Sequence, residues 1–513
     1  MRSLNTPFIL LLLASCLFGD WKQGSGPNLN YIVDQLAPTA WSVSTNKGIN
    51  WKIPLPETGQ STPIIVKGKV FLTCFEPFKA DTKLAKNIIA LCFDAKSGKK
   101  LWERKLPGQV DSRVSGCFGD NTGPAAVSDG QNVCFFNASG LIKCFDLDGN
   151  LIWETTIRNS SRNDPYLLNS TLIVSGASDI TSIKGRHLLG IDFKSGKILW
   201  QSECYAWDGL TPIPYKRSNG DWVALIARGG GHVKEPFKEG LSLIDLSNGK
   251  ELWRYNHKGL MSTQNFTLAQ EQAHVFLPAG KHISLDLETG NITKTIDLMN
   301  GSKALKFDGS KHHITDMPKT DMKKRSIIQM SNLLVYPYHF FRTYNDNYLG
   351  RLNLETEITE YFELPTQLSR QEGSVKTCWS IEGITDLYPL KPKKARLSNT
   401  WLLKRNALKN NQGYTVYGDD RSQFSGWGHH STALPIVLGH VIYVPTMSGL
   451  VYVLKYNSPT LQASDLISIS DLGKLGDSWS RSSLSFYQGK LYARTIKELI
   501  CISGISPNNL SLY

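Results

Sequence analysis

The sequence predicts an all-β protein, a single eight-bladed β-propeller in which each blade is a four-stranded antiparallel sheet. Two observations carry this prediction: a hairpin motif that ends in tryptophan recurs roughly every 50 residues, and the two chain ends supply complementary parts of one more blade. A length of 513 residues alone would suggest about three domains. A propeller overrides that estimate because it grows by adding blades to one ring rather than by starting new cores.

The recurring motif is an aspartate, a glycine and a tryptophan at fixed spacing. Copies occupy residues 94–102, 192–200 and 245–253, with a copy one residue shorter at residues 146–153. The aspartate can accept hydrogen bonds from the turn, and the glycine supplies the positive φ that the turn needs. Each copy is therefore a β-hairpin whose tryptophan would dock one blade on the next. The docking residues are Gly98, Trp102, Gly149, Trp153, Gly196, Trp200, Gly249 and Trp253. In weaker later copies, Lys294 and Tyr361 take the tryptophan position.

The blade count closes on itself. A second hairpin precedes each motif, as at residues 61–73 and 124–136, so each repeat supplies four strands. Seven blades account for the chain up to about residue 469, and three strands remain after it. One orphan strand, bearing Trp51, remains at residues 48–54. These parts would form an eighth blade in which the N-terminal strand closes the ring, which hides edges that would otherwise invite aggregation.

The first 16 residues indicate an export signal. Arg2 precedes an unbroken apolar run at residues 8–13, which is too short to cross a bilayer as a helix. Residues 13–16, Leu-Ala-Ser-Cys, are similar to the lipobox of bacterial lipoproteins, in which the cysteine (here Cys16) becomes the lipidated first residue. The alternative is an ordinary cleavage site that contains a cysteine. Residues 17–513 would then form an exported propeller in the periplasm, anchored at the outer membrane or on the cell surface.

Cysteine placement and charge give two further expectations. Cys92, Cys144 and Cys501 recur at one position of the repeat, which indicates core side chains. The net charge of +13 could attract anionic lipid, nucleic acid or acidic glycans. Because the basic runs at residues 319–325 and 391–396 lie in long non-repeating segments, solvated loop charge is the simpler interpretation. Export argues against a nucleic-acid partner.

The motif Asp-x-x-x-Gly-Lys-x-x-Trp resembles the tryptophan-docking motif of the quinoprotein alcohol dehydrogenase-like propellers. Residues 21–28 and 51–63 are similar to secreted PQQ-like repeat proteins of the planctomycete and lentisphaera type. A more distant similarity is to the propeller lipoprotein that assists outer-membrane protein assembly. The resemblance covers nearly the whole mature chain, and it implies a fold rather than an activity.

Loop lengths predict one loop-rich face. Turns within the hairpins are short, whereas the connections between hairpins and blades are long and emerge on one side of a meander; they include an insertion at about residues 365–430. Long loops on a rigid scaffold often carry binding sites. The candidate binding residues are Asp120, Asn121, Arg228, His232, Trp427, His429 and His430. The simpler interpretation of each is backbone accommodation or a solvated loop side chain.

The resemblance leaves two functions open. An enzyme of this kind would be a PQQ-dependent alcohol or sugar dehydrogenase, in which a vicinal disulfide and Ca²⁺ adjoin the quinone. This chain has no adjacent cysteine pair and no Cys-x-x-Cys-His haem motif, so no catalytic, cofactor or metal residue is assigned. We expect small and aliphatic residues such as Ala125, Ala126 and Ile436 to line the central channel. We therefore favour a non-catalytic scaffold that presents its loop-rich face to a protein or glycan.

Overall fold

The computed structural model describes residues 19–116, 119–158, 162, 164–177, 187–202, 213–228, 239–257, 260, 266–277, 280–299, 302–308, 311–317, 332–343, 348–365, 387–388, 402–403, 408–416, 434–474 and 477–504. These residues form an all-β, eight-bladed propeller of mainly four-stranded antiparallel blades, as the sequence predicts. None of the described segments forms a helix with the length and apolar character needed to span a bilayer.

Four successive strands build each of the first four blades, numbered in chain order. Blade 1 comprises Ile64–Val66, Lys69–Phe75, Ile88–Asp94 and Lys100–Leu106. Blade 2 comprises Val127–Ser128, Asn132–Phe136, Leu141–Asp146 and Leu151–Thr156. Blade 3 comprises Tyr166–Leu168, Thr171–Gly176, His187–Asp192 and Ile198–Gln201. Blade 4 comprises Tyr215–Lys216, Trp222–Arg228, Gly240–Asp245 and Glu251–Asn256.

The remaining blades follow the same plan, with additions to two of them. Blade 5 comprises Phe266–Ala269, Gln272–Leu277, Lys281–Asp286 and Ile292–Asp297. Blade 6 comprises Leu333–Val335, Tyr338–Arg342, Tyr348–Asn353 and Thr359–Glu363, with a hairpin of Lys303–Phe307 and His312–Asp316 added beside its fourth strand. Blade 7 comprises Ile436–Leu438, Val441–Pro445, Leu450–Lys455 and Leu466–Asp471, with Ile32–Val33 added beside its first strand. Blade 8 comprises Ser485–Tyr487, Lys490–Arg494, Glu498–Ile502 and Ile49–Pro54.

The ring closes through the N-terminal strand of blade 8. Ile49–Pro54 pairs antiparallel with Glu498–Ile502, and Trp51 lies opposite Cys501. In every blade the first strand in the meander is the inner one: Ile64–Val66 is buried throughout, whereas alternate residues of Lys100–Leu106 are exposed. First strands of neighbouring blades contact one another, as Ile64–Val66 and Ser485–Tyr487 do. First strands therefore surround the axis and fourth strands form the rim.

A β-bulge recurs in the outer strand of seven blades. In blade 1, Phe93 pairs with Lys100 and Cys92 pairs with Trp102, so Leu101 is left without a partner. The same shift occurs in blades 2, 3, 4, 5, 7 and 8. We call the residue directly after the bulge the docking position. In these seven blades it is occupied, from blade 1 onward, by Trp102, Trp153, Trp200, Trp253, Lys294, Ser468 and Trp51.

Blade 6 lacks the bulge, and its register therefore differs from the expected one. Arg351, two residues before Asn353, pairs with Glu360, and Gly350 pairs with Tyr361. The docking position of blade 6 is thus Glu360, and the expectation that Tyr361 occupies it was wrong by one residue. Since side chains alternate between faces of a strand, this slip turns Tyr361 to the opposite face, where its hydroxyl donates to Leu298 O of blade 5.

The five docking tryptophans each contact the next blade. The Nε1–H of Trp153 donates to Phe193 O at 2.9 Å, and that of Trp102 donates to Leu147 O at 3.1 Å. Lys294 makes the corresponding bond, from Nζ to Leu354 O at 3.0 Å. The indole lies flat against the turn glycine: a Cβ on Gly196 would come within 2.5 Å of Trp153 Cε3. Because Gly196 also has a φ of 72°, a side chain there meets both a clash and backbone strain.

The recurring cysteines lie beside this contact. Cys92, Cys144 and Cys501 are the third-strand partners of the docking positions in blades 1, 2 and 8. All three are buried free thiols, as expected for core side chains. Burial raises the pKa values of the Cys92 and Cys501 thiols.

Candidate functional site

An N-terminal segment, residues 20–33, fills the axis of the ring, and we call it the axial segment. It begins at blade 1, where the backbones of Trp21 and Ile65 exchange two hydrogen bonds of 2.8 and 2.9 Å. Ile65 belongs to the innermost strand of blade 1, so Trp21 lies on the axial edge of that strand. Trp21 is almost fully buried there.

The axial segment continues across the ring to the opposite side. Its next residue accepts a hydrogen bond from blade 2, Ser128 N to Lys22 O at 2.9 Å. Gln23 then accepts one from the inner strand of blade 3. At the far side Ile32–Val33 pairs in parallel with Ile436–Leu438 of blade 7. Inner strands of blades 1, 2, 3 and 7 thus all bond to one crossing segment.

The axial segment runs through the central channel whose lining the sequence predicts. Ala125, Ala126 and Ile436 lie at the axis as expected, but they are buried rather than exposed on a lumen. One gap among the described inner residues of blades 4 to 7, lined by Phe266 and Leu434 among others, measures about 10 Å³. That is room for about one water.

A carboxylate and two guanidiniums gather near Gly24, within the axial segment. The Asp164 carboxylate accepts the N–H of Ala125 at 2.8 Å, and Gly24 approaches it so closely that a Cβ would lie 2.2 Å from Oδ2. Arg162 donates to Gly119 O at 3.3 Å, and a Cβ on Gly119 would lie 3.1 Å from Arg481 Nη1. These residues belong to the connections that lead into the inner strands of blades 2, 3 and 8. The cluster therefore marks the mouth of the axis on the side of the long connections.

Burial raises the pKa of Asp164 to about 6, although the Ala125 N–H and Arg481 oppose this shift. Burial and the Asp164 charge in turn raise the pKa of Tyr166, which is hydrogen bonded to Tyr31 of the axial segment. A carboxyl that titrates near neutral pH is typical of functional sites, although structural networks also produce it. No sequence motif marks Asp164, so sequence reasoning missed it.

The long connections of distant blades meet on the predicted loop-rich face. Leu84–Ala85 of blade 1 pairs with Ser112–Arg113, which lies between blades 1 and 2. Residues 408–416, from the insertion between blades 6 and 7, join them through Thr82 N to Thr415 O at 2.8 Å. We call this assembly of residues 76–87, 107–116, 119–124 and 408–416 the loop patch.

Buried Glu57 ties the loop patch to the ring. Its Oε1 accepts the Thr58 N–H at 2.8 Å, and its Oε2 accepts the Phe78 N–H at 3.0 Å and the Asn410 amide at 2.9 Å. Burial raises the pKa of Glu57, and these three donors oppose the rise. One carboxylate thereby joins two connections that are more than 300 residues apart in the chain.

Asp120 and Asn121 lie inside the loop patch rather than on its surface. Asp120 is fully buried and accepts hydrogen bonds from Ser115 N at 2.9 Å and from the Thr122 backbone and hydroxyl at 2.9 and 2.6 Å. Asn121 donates to Val110 O at 2.9 Å. Both side chains are buried and bond mainly to neighbouring backbone, so both residues position the loops.

Arg228 is also buried. Its Nη2 donates to Asn256 Oδ1 at 2.9 Å and to Tyr255 O at 3.2 Å, which ties the second strand of blade 4 to the end of the fourth. The remaining candidates, His232, Trp427, His429 and His430, lie outside the described residues, as does Cys16.

The loop patch exposes two aliphatic side chains that sequence reasoning did not single out. Leu84 is 58% exposed and Val110 is 65% exposed. The backbones of both residues are fixed, because Leu84 pairs with Arg113 and Val110 is held by Asn121. Apolar groups mark contact surfaces where they form a contiguous exposed patch, and these two lie on neighbouring parts of one assembly.

Three buried histidines form a second cluster, between blades 5 and 6. His282 Nε2 lies 3.2 Å from His339 Nδ1, and His339 Nε2 lies 3.1 Å from Asn332 Oδ1. His274 stacks on His282 with ring centroids 5.8 Å apart. Burial lowers the pKa of His274 to about 4 and those of the other two well below the ordinary value. No group of three or more His, Cys, Asp or Glu side chains in the described ranges could hold a metal ion.

Comparisons with known proteins agree with this architecture. A family model described as outer membrane protein assembly factor BamB matches residues 85–308. No curated protein matches the chain. Among solved structures, quinohemoprotein alcohol dehydrogenase from Comamonas testosteroni is 10% identical over 95% of this chain and 81% of its own, with a TM-score of 0.52. A europium-containing methanol dehydrogenase is 11% identical over 92% and 89%, with a TM-score of 0.51. BamB from Moraxella catarrhalis is 13% identical over 88% and 96%, with a TM-score of 0.43.

The two likenesses with TM-scores above 0.5 show the fold alone and no activity. The chain is thus an eight-bladed propeller of the kind that quinoprotein dehydrogenases adopt, and residues 85–308 match the BamB family model.

Proposed function

We propose that this protein is a non-catalytic scaffold of the cell envelope that binds a protein partner through its loop patch. The match of residues 85–308 to the BamB family model supports an assembly or scaffold role. That match also supports a place in the periplasm or at the outer membrane, in keeping with the export signal expected in residues 1–16.

One observation carries the proposal: buried polar side chains hold the loop patch in a fixed conformation. Burying Glu57, Asp120 and Asn121 costs free energy unless their hydrogen bonds are satisfied, and here they are satisfied mainly by loop backbone. The surface that results displays Leu84 and Val110 to solvent. A preorganised loop loses less conformational entropy when it binds. Aliphatic groups favour a protein over a glycan, since apolar side chains fill the centre of protein interfaces.

The path of the axial segment gives the scaffold an orientation if Cys16 is lipidated. Asp20 Oδ1 accepts the N–H of Lys67, which lies in the short turn between the first two strands of blade 1. The axial segment therefore starts on the short-turn face, opposite the loop patch. An anchor at Cys16, four residues before Asp20, would turn the short-turn face to the membrane and the loop patch away from it.

The alternative, a PQQ-dependent dehydrogenase, has weaker support. The fold likeness to such enzymes is compatible with it. The axial segment argues against it, because Trp21 and its neighbours bond directly to the inner strands.

Site-specific photo-crosslinking in the native cell tests the proposal. A photoreactive residue at Leu84 or Val110 should give one discrete protein adduct. The same residue at Leu199, a bulge residue of the blade 3 rim with 52% exposure, is the matched control and should give none. Adducts of equal yield at all three positions, or adducts at Leu199 alone, would contradict binding through the loop patch.

A further inference from the structure

The contact between blades 6 and 7 has no indole at its docking position, where five other blades carry a tryptophan. At the contact between blades 1 and 2, Trp102 packs against Phe71 with centroids 5.9 Å apart, and Phe71 pairs with Cys92. At the contact between blades 8 and 1, Trp51 packs against the equivalent Tyr492 with centroids 6.0 Å apart. An indole at the docking position is thus the usual filling.

The contact between blades 7 and 8 shows that the indole can come from elsewhere. The docking position of blade 7 is Ser468, whose hydroxyl donates to Thr39 O at 2.5 Å. Two residues after Thr39, Trp41 is fully buried and stacks on Tyr443 with centroids 6.5 Å apart. Tyr443 pairs with Val453 as Phe71 pairs with Cys92, so it is the equivalent position. A distant segment therefore supplies the ring that the blade itself lacks.

Between blades 6 and 7, a polar pair makes the inter-blade hydrogen bonds that a docking indole makes elsewhere. Glu360, at the docking position, forms an ion pair with fully buried Arg351. The Arg351 Nη1 donates to Tyr456 O at 2.9 Å and to Ser458 O at 2.6 Å in blade 7. Glu360 Oε1 accepts the Leu461 N–H at 2.9 Å. These bonds hold the blades together but leave the outer part of the contact unfilled.

The unfilled part is a cavity of about 310 Å³ that opens at the rim. The hairpin added to blade 6, the turn before its fourth strand and the third-to-fourth connection of blade 7 enclose it. Its lining includes Leu305, Ile314, Tyr338, Ile358, Glu360 and Leu461. Ile314 is 69% exposed and Ile358 is 60% exposed, so the entrance is apolar as well. An apolar cavity of about 150 Å³ already suffices to bind benzene.

We propose that this cavity binds an aromatic side chain of a partner protein, a tryptophan in the first place. The chain itself contains an example of such filling: Trp41 fills the contact between blades 7 and 8 although it lies outside the strands of both blades. The Glu360 carboxylate retains lone pairs that can accept the indole N–H, which favours tryptophan over a purely hydrocarbon group. The site lies on the rim rather than in the loop patch, so it is a second contact that stands or fails independently of the proposed function.

A titration of the mature protein with N-acetyl-tryptophanamide, followed by saturation-transfer NMR, tests this inference. We expect saturable binding with a Kd of about 1 mM or tighter, the range open to a small ligand of this size. N-acetyl-leucinamide should bind about tenfold more weakly. Ile314→Trp should fill the cavity from within and weaken binding of the probe about tenfold.

Two further variants complete the design. Ile292→Trp places the same ring on the outer strand of blade 5, where the exposure is 50%, and should leave the Kd unchanged. Thr356→Trp, at a second exposed lining position, should weaken binding as Ile314→Trp does even if one of the two fails to fold. The inference is overturned by no saturable binding to wild type, by equal binding of the leucine probe, or by an unchanged Kd in the folded cavity variants.

Discussion

Truncation of Trp153 tests whether the docking tryptophans hold the ring together. Trp153 is 9% exposed, lies against Gly196 and donates to Phe193 O. Removal of about 200 Å² of buried surface, at about 25 cal/mol per Å², corresponds to about 5 kcal/mol. Partial collapse of the site reduces this loss of stability, whereas the unpaired Phe193 carbonyl increases it. We expect Trp153→Ala to lower the free energy of unfolding by about 3–5 kcal/mol.

Urea unfolding of the mature protein, followed by circular dichroism, measures this loss. Ile152→Ala is the matched control, because Ile152 is the adjacent half-exposed bulge residue and should change stability by about 0.5 kcal/mol or less. Trp153→Phe keeps a ring but loses the N–H, so it should cost about 1 kcal/mol or more. An unfolding midpoint of Trp153→Ala equal to that of wild type would refute the docking role.

Three further predictions concern closure, acid stability and the loop patch. Deletion of residues 19–55 removes the axial segment, Trp41 and the outer strand of blade 8, so the soluble yield should collapse; a truncated protein as stable as the mature chain would contradict the closure. Because burial lowers the pKa of His274 to about 4 from 6.5, its contribution to stability is complete above about pH 6.5 and is lost as the pH falls toward 4. His274→Phe should therefore remove about 2 kcal/mol of the loss that wild type shows between pH 7.5 and pH 5, and an unchanged pH dependence would contradict this. Asn121→Ala should speed proteolysis within residues 76–124, whereas Asn150→Ala, at an exposed turn of blade 2, should not; equal rates for both would remove Asn121 from its positioning role.

Repetition made the fold predictable from the sequence. The spacing of Asp94, Gly98 and Trp102 specifies a turn, a strand and a buried ring together. Each further copy of the motif therefore predicts the same hairpin again. The register slip of blade 6 could not be read in the same way. Its copy keeps the spacing from Asn353 to Tyr361, and the absence of one bulge changes the residue that faces blade 7. A bulge is set by the packing around it, which spacing alone does not encode.

The candidate site was less predictable, because exposure is a property of the assembled loops. Asp120 and Asn121 are polar residues in a long connection, which suggests solvent contact, yet both are buried by hydrogen bonding within that same connection. The reverse holds for Leu84 and Val110, which are apolar but displayed. The axial segment precedes the first repeat and contains no copy of the repeat motif. Its tryptophan, Trp21, is the one residue whose type suggests burial, and it is buried. Long-range hydrogen bonds such as that of Trp21 with Ile65 decide these outcomes, and local sequence does not specify them.

Calorimetric titration of the mature protein with PQQ in the presence of Ca²⁺, paired with a dye-linked alcohol oxidation assay, tests the non-catalytic account most directly. The axial segment bonds to the inner strands of four blades, so it lies along the axis where the quinone would have to bind. We therefore expect no saturable heat of binding and no dye reduction above the buffer control. A PQQ affinity of micromolar or tighter, or dye reduction that depends on PQQ, would contradict the account.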